Sequence, residues 1–224
     1  MKSEASTEAP SPNWEGIRAV VCDYGGVLTF IPTDEDWQAM AATMRVPLPC
    51  LSEGYWKNRL PYEIAQYDSA TFWRLVAQGC GAELTDAAVT ELVRLDNKQW
   101  GRANAETIEL MRQVRAGGIR TAILSNIQPD MLRYVEAQHP WINDFDVRAY
   151  SCKIGIAKPA PEIFLHSARL LGVRPADCLF LDDRQDNVEG ARHAGMNALR
   201  FEWPDSLTTL IAGLSEALRA TLVR

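Results

Sequence analysis

The chain has 224 residues and a formal net charge of −6 at pH 7. This acidic balance argues against a nucleic-acid or anionic-membrane partner, because such partners require clustered lysine and arginine. Hydrophobic residues make up 47% of the chain and charged residues 23%, as in ordinary soluble globular proteins. No apolar run is long enough to cross a bilayer, so we expect no membrane partner. The length suits one core domain with a sizeable insertion.

Residues 1–13 are rich in Ser, Glu, Ala and Pro and lack the apolar stretch of a signal peptide, which predicts a disordered tail. The five cysteines form no C-x-x-C pair, and their number is odd. Three of them lie in or beside apolar runs, where a free cysteine behaves as a small hydrophobic residue. We therefore expect free thiols and a reducing, cytoplasmic location rather than a disulfide framework.

The first predicted strand is the apolar run Ile17–Asp23, which ends on a carboxylate and is followed by two glycines. Only helical patterns follow as far as Gly101. They cover about Asp34–Arg45, about Leu51–Leu60, a stretch capped by Ser69 and a stretch capped by Thr85. Residues 30–103 are therefore expected to form an all-helical insertion in the fold.

From Asn104 onwards, helix and strand patterns alternate. Buried strands are predicted at Thr121–Ser125, near Asp146–Tyr150, at Cys178–Asp182 and at Ala198–Phe201, with helices between them and a final helix over about Ser206–Leu222. Such alternation predicts an α/β fold, a Rossmann-like parallel sheet with helices on both faces. Residues 14–29 and 104–224 would form this core.

Polar residues follow four of the predicted strands. They are Asp23, the pair Ser125 and Asn126, the loop Cys152–Lys158, and the pair Asp182 and Asp183. The carboxyl ends of parallel strands lie at one edge of a sheet, where open α/β folds bind their ligands. Each residue alone has an ordinary structural explanation, such as a turn, a helix cap or a solvated surface position. Their combination at strand ends favours a single site.

Carboxylates that face one another repel unless a positive charge lies between them. A site built only of oxygen ligands suits Mg²⁺, which takes one or two carboxylates and keeps several waters. Lys158 adds a second positive charge, and Ser125 and Asn126 are able to donate hydrogen bonds to phosphoryl oxygens. A carboxylate nucleophile, a metal, a lysine and a hydroxyl are the parts needed for phosphoryl transfer through an aspartyl phosphate.

Four segments resemble the motifs of the haloacid dehalogenase-like (HAD) superfamily of hydrolases, and they occur in that family's order. They are Cys22–Val27, Ile123–Asn126, Gly155–Pro159, and Phe180–Asp183 followed by Asn187 and Val188. With the helical insertion, the resemblance covers nearly everything from Ile17 to Phe201. It implies a helical cap between the first and second motifs that closes over small-molecule substrates.

The resemblance also implies a role for each motif residue. Asp23 would be the nucleophile and a Mg²⁺ ligand, and the other metal ligands would be Asp182, Asp183 and the backbone carbonyl of Gly25. Ser125 and Lys158 would bind the phosphoryl group and take part in catalysis, and Asn126 and Gly26 would complete the phosphate-binding set. The implied substrate is a small phosphorylated molecule, bound by a monomer or a homodimer.

One position departs from the family pattern. Most phosphatases of this family carry an aspartate two residues after the nucleophile, as general acid and base, whereas this chain has Gly25. A positioned proton donor is worth about 10²–10⁴-fold in rate. Three explanations remain open: a substrate with a better leaving group such as an anomeric sugar phosphate, a proton donor from the cap, or phosphate binding with little turnover. We expect weak or selective activity.

The predicted function is therefore a Mg²⁺-dependent phosphatase of small, sugar-phosphate-like phosphomonoesters. One alternative is a phosphate-binding protein with little or no catalysis. Another is a 2-haloacid dehalogenase, a less favoured interpretation because that group has an aromatic residue followed by Gly-Thr where this chain has Gly25–Val27. The cap residues that could face the substrate are Trp56, Arg59, Tyr62, Glu63 and Trp73, of which Arg59 is the preferred specificity residue. Trp56 and Trp73 could equally belong to the cap's own core.

Overall fold

The computed structural model describes Trp14 and residues 16–222, with side chains described as far as Ser215. The predicted tail, residues 1–13, lies outside the described residues. Among the helices of the described part, none combines the length and the apolar character that a bilayer crossing requires.

Five parallel strands form one sheet in the order β3-β2-β1-β4-β5. Their bounds are β1 Ala19–Cys22, β2 Arg120–Ser125, β3 Val147–Tyr150, β4 Cys178–Asp182 and β5 Asn197–Arg200. The central strand β1 pairs with β2 on one side and with β4 on the other, so Cys22 lies between Ile123 and Leu181. This register brings the carboxyl ends of the three inner strands to one edge, as the sequence predicted.

The sheet is covered on both faces. Alternate side chains of β1 enter different hydrophobic clusters: Val20 and Cys22 belong to one, and Ala19 and Val21 belong to the other. All four are fully buried, which explains why the strand reads as a continuous apolar run. The predicted α/β class with a Rossmann-like parallel sheet is confirmed.

Ten helices of at least four residues accompany the sheet in the described part of the chain. Four lie between β1 and β2 before the core resumes: α1 Asp34–Met44, α2 Leu48–Glu63, α3 Ser69–Gly79 and α4 Asp86–Trp100. The others are α5 Ala105–Ala116, α6 Pro129–Gln138, α7 Ser151–Ile154, α8 Pro161–Leu171, α9 Gln185–His193 and α10 Asp205–Leu222. Short 3₁₀ segments cover Pro140–Asp144 and Pro175–Asp177.

Helices α1 to α4 form a helical cap with a hydrophobic cluster of its own. Its largest fully buried side chains are Trp73, Tyr55, Tyr62 and Phe72. Three side-chain hydrogen bonds then join cap and core. Tyr62 donates to Asp130 at 3.1 Å, Gln128 donates to Asp96 at 3.2 Å, and Ser151 donates to the carbonyl of Glu63 at 2.7 Å. The cap therefore lies against the sheet edge that carries the polar strand ends.

Most differences between predicted and observed elements are small. Asp68, not Ser69, caps α3, because its carboxylate accepts a hydrogen bond from the backbone N–H of Thr71. The predicted loop Cys152–Lys158 begins inside the short helix α7, which ends at Gly155 in a left-handed conformation.

The expectation of free thiols is wrong for two cysteines. Cys50 and Cys80 form a disulfide, with Cα atoms 5.7 Å apart, whereas Cys22, Cys152 and Cys178 are free. The bridge joins the first turn of α2 to the end of α3, two helices that pack against each other. Because the two cysteines are 30 residues apart in sequence, only this helix packing reveals that they meet.

Candidate active site

Three carboxylates meet at the sheet edge. Asp23 follows β1, Asp182 ends β4 and Asp183 follows it. One oxygen of each lies within 4.8 Å of an oxygen of the others. Asp182 is fully buried and Asp23 is 9% exposed, so water screens their mutual repulsion only weakly. The predicted convergence of strand ends is present.

The ammonium group of Lys158 lies between two of these carboxylates. Its Nζ is 2.8 Å from Asp23 Oδ1 and 2.6 Å from Asp182 Oδ2. Burial alone would lower the pKa of Lys158, but Asp182 and Asp23 outweigh it and raise this pKa. Lys158 is therefore a buried ammonium group between two carboxylates and not a solvated surface lysine.

Asp182 has further hydrogen-bond partners besides Lys158. Its Oδ1 accepts from the backbone N–H of Arg184 at 2.9 Å, and both its oxygens lie 3.0 Å from the side-chain amide nitrogen of Asn187. Asn187 lies in the first turn of α9. Asn187 belongs to the fourth motif, but its residue type and position in the sequence predicted no role for it. The structure shows that it orients Asp182.

The other two carboxyls titrate far from their usual range in the metal-free protein. Burial raises the pKa of Asp23 well above its ordinary value, with Lys158 acting in the opposite direction. Burial and the charge of Asp182 raise the pKa of Asp183 to about 6. Three carboxylates beside one ammonium leave two negative charges uncompensated when all are ionised. A divalent cation with oxygen ligands matches this excess and this donor set.

Gly26 leaves no room for a side chain. Its φ is +74°, and a Cβ there would lie 2.5 Å from Cγ of Asp183. Gly25 is crowded from the cap side instead, because a Cβ at this position would lie 3.0 Å from the ring of Trp100. Because they lack side chains, the two glycines allow the backbone after Asp23 to pass between Asp183 on one side and Trp100 of the cap on the other.

Ser125 and Asn126 both line the cavity in front of the carboxylates. The amide of Asn126 is engaged with backbone: Oδ1 accepts from the N–H of Lys158 at 2.8 Å, and Nδ2 donates to the carbonyl of Lys158 at 3.0 Å. Ser125 ends β2 and is 3% exposed. Asn126 thus positions the lysine loop, a role that its residue type alone did not reveal.

The cap closes a cavity of about 500 Å³ over the site. Of the five cap residues proposed from the sequence, Trp56, Arg59 and Glu63 line this cavity. Trp73 is fully buried in the cap's own core, and Tyr62 is buried and bonded to Asp130. Two tryptophans that were not predicted from the sequence, Trp37 and Trp100, line the cavity as well. Their helical positions alone do not tell which face turns toward the core.

Arg59 is held inside the cap by a polar network. Its Nε donates to Glu63 at 2.7 Å and its NH1 lies 3.2 Å from Asp96, while Tyr55 is a further partner. Asp96 also accepts from Tyr55 at 2.8 Å and from Gln99 at 3.0 Å. Burial raises the pKa of Glu63, with the charge of Arg59 acting in the opposite direction. This network links the wall of the cavity to the cap interior.

The sequence is similar to those of one family of known proteins. A family model described as "haloacid dehalogenase-like hydrolase" matches residues 17–195, which include every strand end described above except that of β5. The chain belongs to the haloacid dehalogenase-like hydrolases. A relative named Phosphatase MT3486, from Mycobacterium tuberculosis, is 33% identical over 193 residues, covering 81% of this chain and 86% of the relative.

More distant relatives carry phosphatase names as well. The D-ribitol-5-phosphate phosphatase of Bacteroides thetaiotaomicron is 24% identical over 209 residues, covering 87% of this chain and 98% of that protein. A solved HAD family enzyme from the same organism, in complex with magnesium and inorganic phosphate, shares the fold with a TM-score of 0.69 at 19% identity, covering 84% and 98% of the two chains. L-2-haloacid dehalogenase from Xanthobacter autotrophicus shares it with a TM-score of 0.59 at 21% identity, covering 93% and 88%.

Proposed function

We propose that this HAD-like hydrolase is a Mg²⁺-dependent phosphatase of small phosphomonoesters that works through an aspartyl phosphate on Asp23. The observation that carries the proposal is the buried Lys158 ammonium, 2.8 Å from Asp23 and 2.6 Å from Asp182, beside a third carboxylate at Asp183. The phosphatase names of the relatives support the same reaction class.

The chain's own residues supply the chemical steps. A carboxylate oxygen of Asp23 attacks phosphorus, and the bond from phosphorus to the leaving oxygen breaks with its electron pair on that oxygen. Water then attacks the phosphorus of the aspartyl phosphate, which releases inorganic phosphate and regenerates the Asp23 carboxylate. Lys158 and Ser125 line the cavity in front of Asp23, where they would bind the phosphoryl oxygens.

The metal would be held by Asp23, Asp182, Asp183 and the backbone carbonyl of Gly25. When bound, Mg²⁺ would supply positive charge that offsets the charge of the phosphoryl group as it approaches the carboxylates. The donor set supports this assignment because it contains only oxygen ligands and carries an excess of two negative charges over Lys158. Asp182 is already bound by Lys158 and Asn187, so Asp183 is the more accessible carboxylate of the pair.

Asp23→Asn tests the mechanism, because an amide cannot act as the nucleophile. We expect phosphate release from p-nitrophenyl phosphate in Mg²⁺ to fall below detection in this variant, and to fall likewise in wild type with EDTA. Asp144→Asn is the matched control, since that carboxylate pairs with Arg112 on the surface. Undiminished activity of Asp23→Asn in protein with wild-type circular dichroism would overturn the proposal.

A phosphate-binding protein without efficient catalysis is the second candidate, and the glycine at position 25 favours it. This candidate predicts that folded protein binds Mg²⁺ and inorganic phosphate in calorimetry but releases no phosphate from any ester. Metal-dependent turnover that disappears in Asp23→Asn would exclude it. A parallel assay for halide release from a 2-haloacid without added metal tests the dehalogenase alternative.

A further inference from the structure

Part of the lining of the cavity, called here the cavity wall, is aromatic and apolar. Its members are Ile31, Trp37, Trp56, Leu60, Trp100 and Met131. Ile31, Trp56 and Leu60 expose 58%, 44% and 52% of their surface, so water covers a substantial apolar area at the mouth of the cavity. Exposed apolar surface concentrated at a ligand cavity indicates a ligand that buries it.

Three of these side chains form a connected aromatic group. The ring of Trp56 lies 6.1 Å from that of Trp37 and 6.5 Å from that of Trp100, the second in an edge-to-face arrangement. Rings prefer edge-to-face or offset contacts with other rings because their faces are negative and their edges positive. A planar aromatic ligand therefore finds both faces and edges available in this wall.

Most of the polar side chains that line the cavity are already engaged, although Oε1 of Gln128 has no hydrogen-bond partner. Arg59 bonds Glu63, Asn126 bonds the backbone of Lys158, Gln128 donates to Asp96, and Arg184 pairs with Asp186. A sugar needs partners for its hydroxyl groups, and a site that recognises such groups keeps polar atoms unpaired until the substrate arrives. The cavity wall therefore favours an aromatic ring over a sugar.

The glycine at position 25 also favours an aromatic substrate. A Cβ at Gly25 would lie 3.0 Å and 3.2 Å from two ring carbons of Trp100. The ring of Trp100 therefore takes the space into which a side chain at position 25 would extend, and no carboxylic acid is available there to protonate a leaving oxygen. A phenol ionises with a pKa of about 10, whereas water ionises at about 15.7 and simple alcohols lie near water. A phenolate leaves without a proton donor far more readily than an alkoxide.

We infer that the substrate is a phosphomonoester of a phenol, with its ring against Trp37, Trp56 and Trp100 and its phosphoryl group at Asp23. This inference rests on the proposed phosphatase function. The bond from phosphorus to the phenolic oxygen breaks, and the electron pair stays on that oxygen, which then takes a proton from water. Asp23 gains the phosphoryl group and water later removes it.

Two features of the inferred substrate are tested separately, its phenolic leaving group and its aromatic ring. The test uses four esters: 2-naphthyl phosphate, 2-naphthylmethyl phosphate, glucose 1-phosphate and glucose 6-phosphate. We expect 2-naphthyl phosphate to exceed 2-naphthylmethyl phosphate in kcat/KM by at least 100-fold, because both present the same ring and only the first leaves as a phenolate. Its KM should lie at least tenfold below that of glucose 1-phosphate. Equal rates for the two naphthyl esters would overturn the phenol assignment and point to a proton donor such as Glu63.

Trp56→Ala tests the aromatic wall. We expect its KM for 2-naphthyl phosphate to rise about tenfold, whereas Trp203→Ala, which removes a tryptophan that is 43% exposed outside the cavity, should keep the wild-type value. An unchanged KM in Trp56→Ala would contradict the inference. Metal-dependent turnover that is faster on the glucose phosphates would overturn the inference alone. No turnover on any of the four esters would overturn the proposed function as well.

Discussion

The side-chain amide of Asn126 forms a pair of hydrogen bonds with the backbone of Lys158, accepting at 2.8 Å and donating at 3.0 Å. Asn126 follows β2, and Lys158 lies in the loop before α8, 32 residues later. The pair therefore fixes the loop from which the lysine side chain reaches Asp23 and Asp182. Asn126 therefore acts on the site through the backbone of Lys158, and its contact with phosphate stays a prediction.

Asn126→Ala removes both hydrogen bonds without adding bulk. We expect kcat to fall about 10–100-fold, as for other residues that orient the groups of a site. The free energy of unfolding should fall by about 1–3 kcal/mol, because two buried backbone groups of Lys158 lose their partner. Steady-state kinetics and urea denaturation measure both effects. Asn58→Ala, which removes an amide outside the cavity, is the control, and a kcat equal to its value would contradict the positioning role.

The raised pKa of Asp183 predicts how pH controls metal binding. Its folded pKa of about 6 exceeds its ordinary value of 3.8. In the metal-free protein, this carboxyl stabilises the fold fully below about pH 3.8, and that contribution is lost as pH rises through about 6. Because Mg²⁺ binds the ionised form, the melting temperature should rise more on adding Mg²⁺ at pH 7 than at pH 5.

Thermal melts with and without MgCl₂ between pH 5 and pH 7.5 test this linkage. Asp183→Asn removes the titrating group and should weaken both the shift at pH 7 and its dependence on pH. An equal Mg²⁺ shift at pH 5 and pH 7 in the wild type would show that Asp183 does not hold the cation.

The strand-end residues could be predicted because each follows a fully buried apolar run. For β4, the predicted span Cys178–Asp182 is the observed one. Parallel strands then bring their carboxyl ends to one edge, whatever the details of packing. Asp23, Asp182 and Asp183 consequently meet where the sequence predicted, and the resemblance to the HAD family added their expected roles.

The cap side of the site could not be predicted in the same way. Trp56 and Trp73 both lie on helical patterns, yet Trp73 is fully buried and Trp56 is 44% exposed in the cavity. Which helix face meets the sheet edge depends on contacts between cap and core, such as the bond from Gln128 to Asp96. Those contacts join residues far apart in sequence, and no local periodicity encodes them.

The buried network around Arg59 predicts a large stability effect from a single change. Asp96→Ala removes one of the two carboxylates that face the guanidinium, together with an acceptor for Gln128. Breaking a buried pair by deleting one partner costs about 3–5 kcal/mol. Asp86→Ala on the same helix, whose partner Arg74 is exposed, should cost at most about 1 kcal/mol.

Urea denaturation of both variants measures the difference. The double variant with Arg59→Met and Asp96→Ala should lose less than the sum of its single variants, because it removes both charges of the pair. Additive losses would show that the two groups do not interact through their charges.

The disulfide between Cys50 and Cys80 makes a prediction that opposes the sequence-based expectation of five free thiols. Denatured, unreduced protein should show three reactive thiols, those of Cys22, Cys152 and Cys178. Closing a loop of this length, 30 residues, stabilises a fold by about 3–4 kcal/mol through the lost entropy of the unfolded chain. Cys50→Ser should therefore lower the free energy of unfolding by about that amount.

Adding a reductant tests whether the disulfide causes this difference in the free energy of unfolding between wild type and Cys50→Ser. With excess dithiothreitol, wild type and Cys50→Ser should unfold at similar urea concentrations, whereas Cys152→Ser should match the wild type with and without the reductant. Five reactive thiols in the unreduced protein would instead restore the expectation of free cysteines. That result would fit a reducing compartment, since glutathione and thioredoxin keep thiols reduced there, and the two helices would then be joined by packing alone.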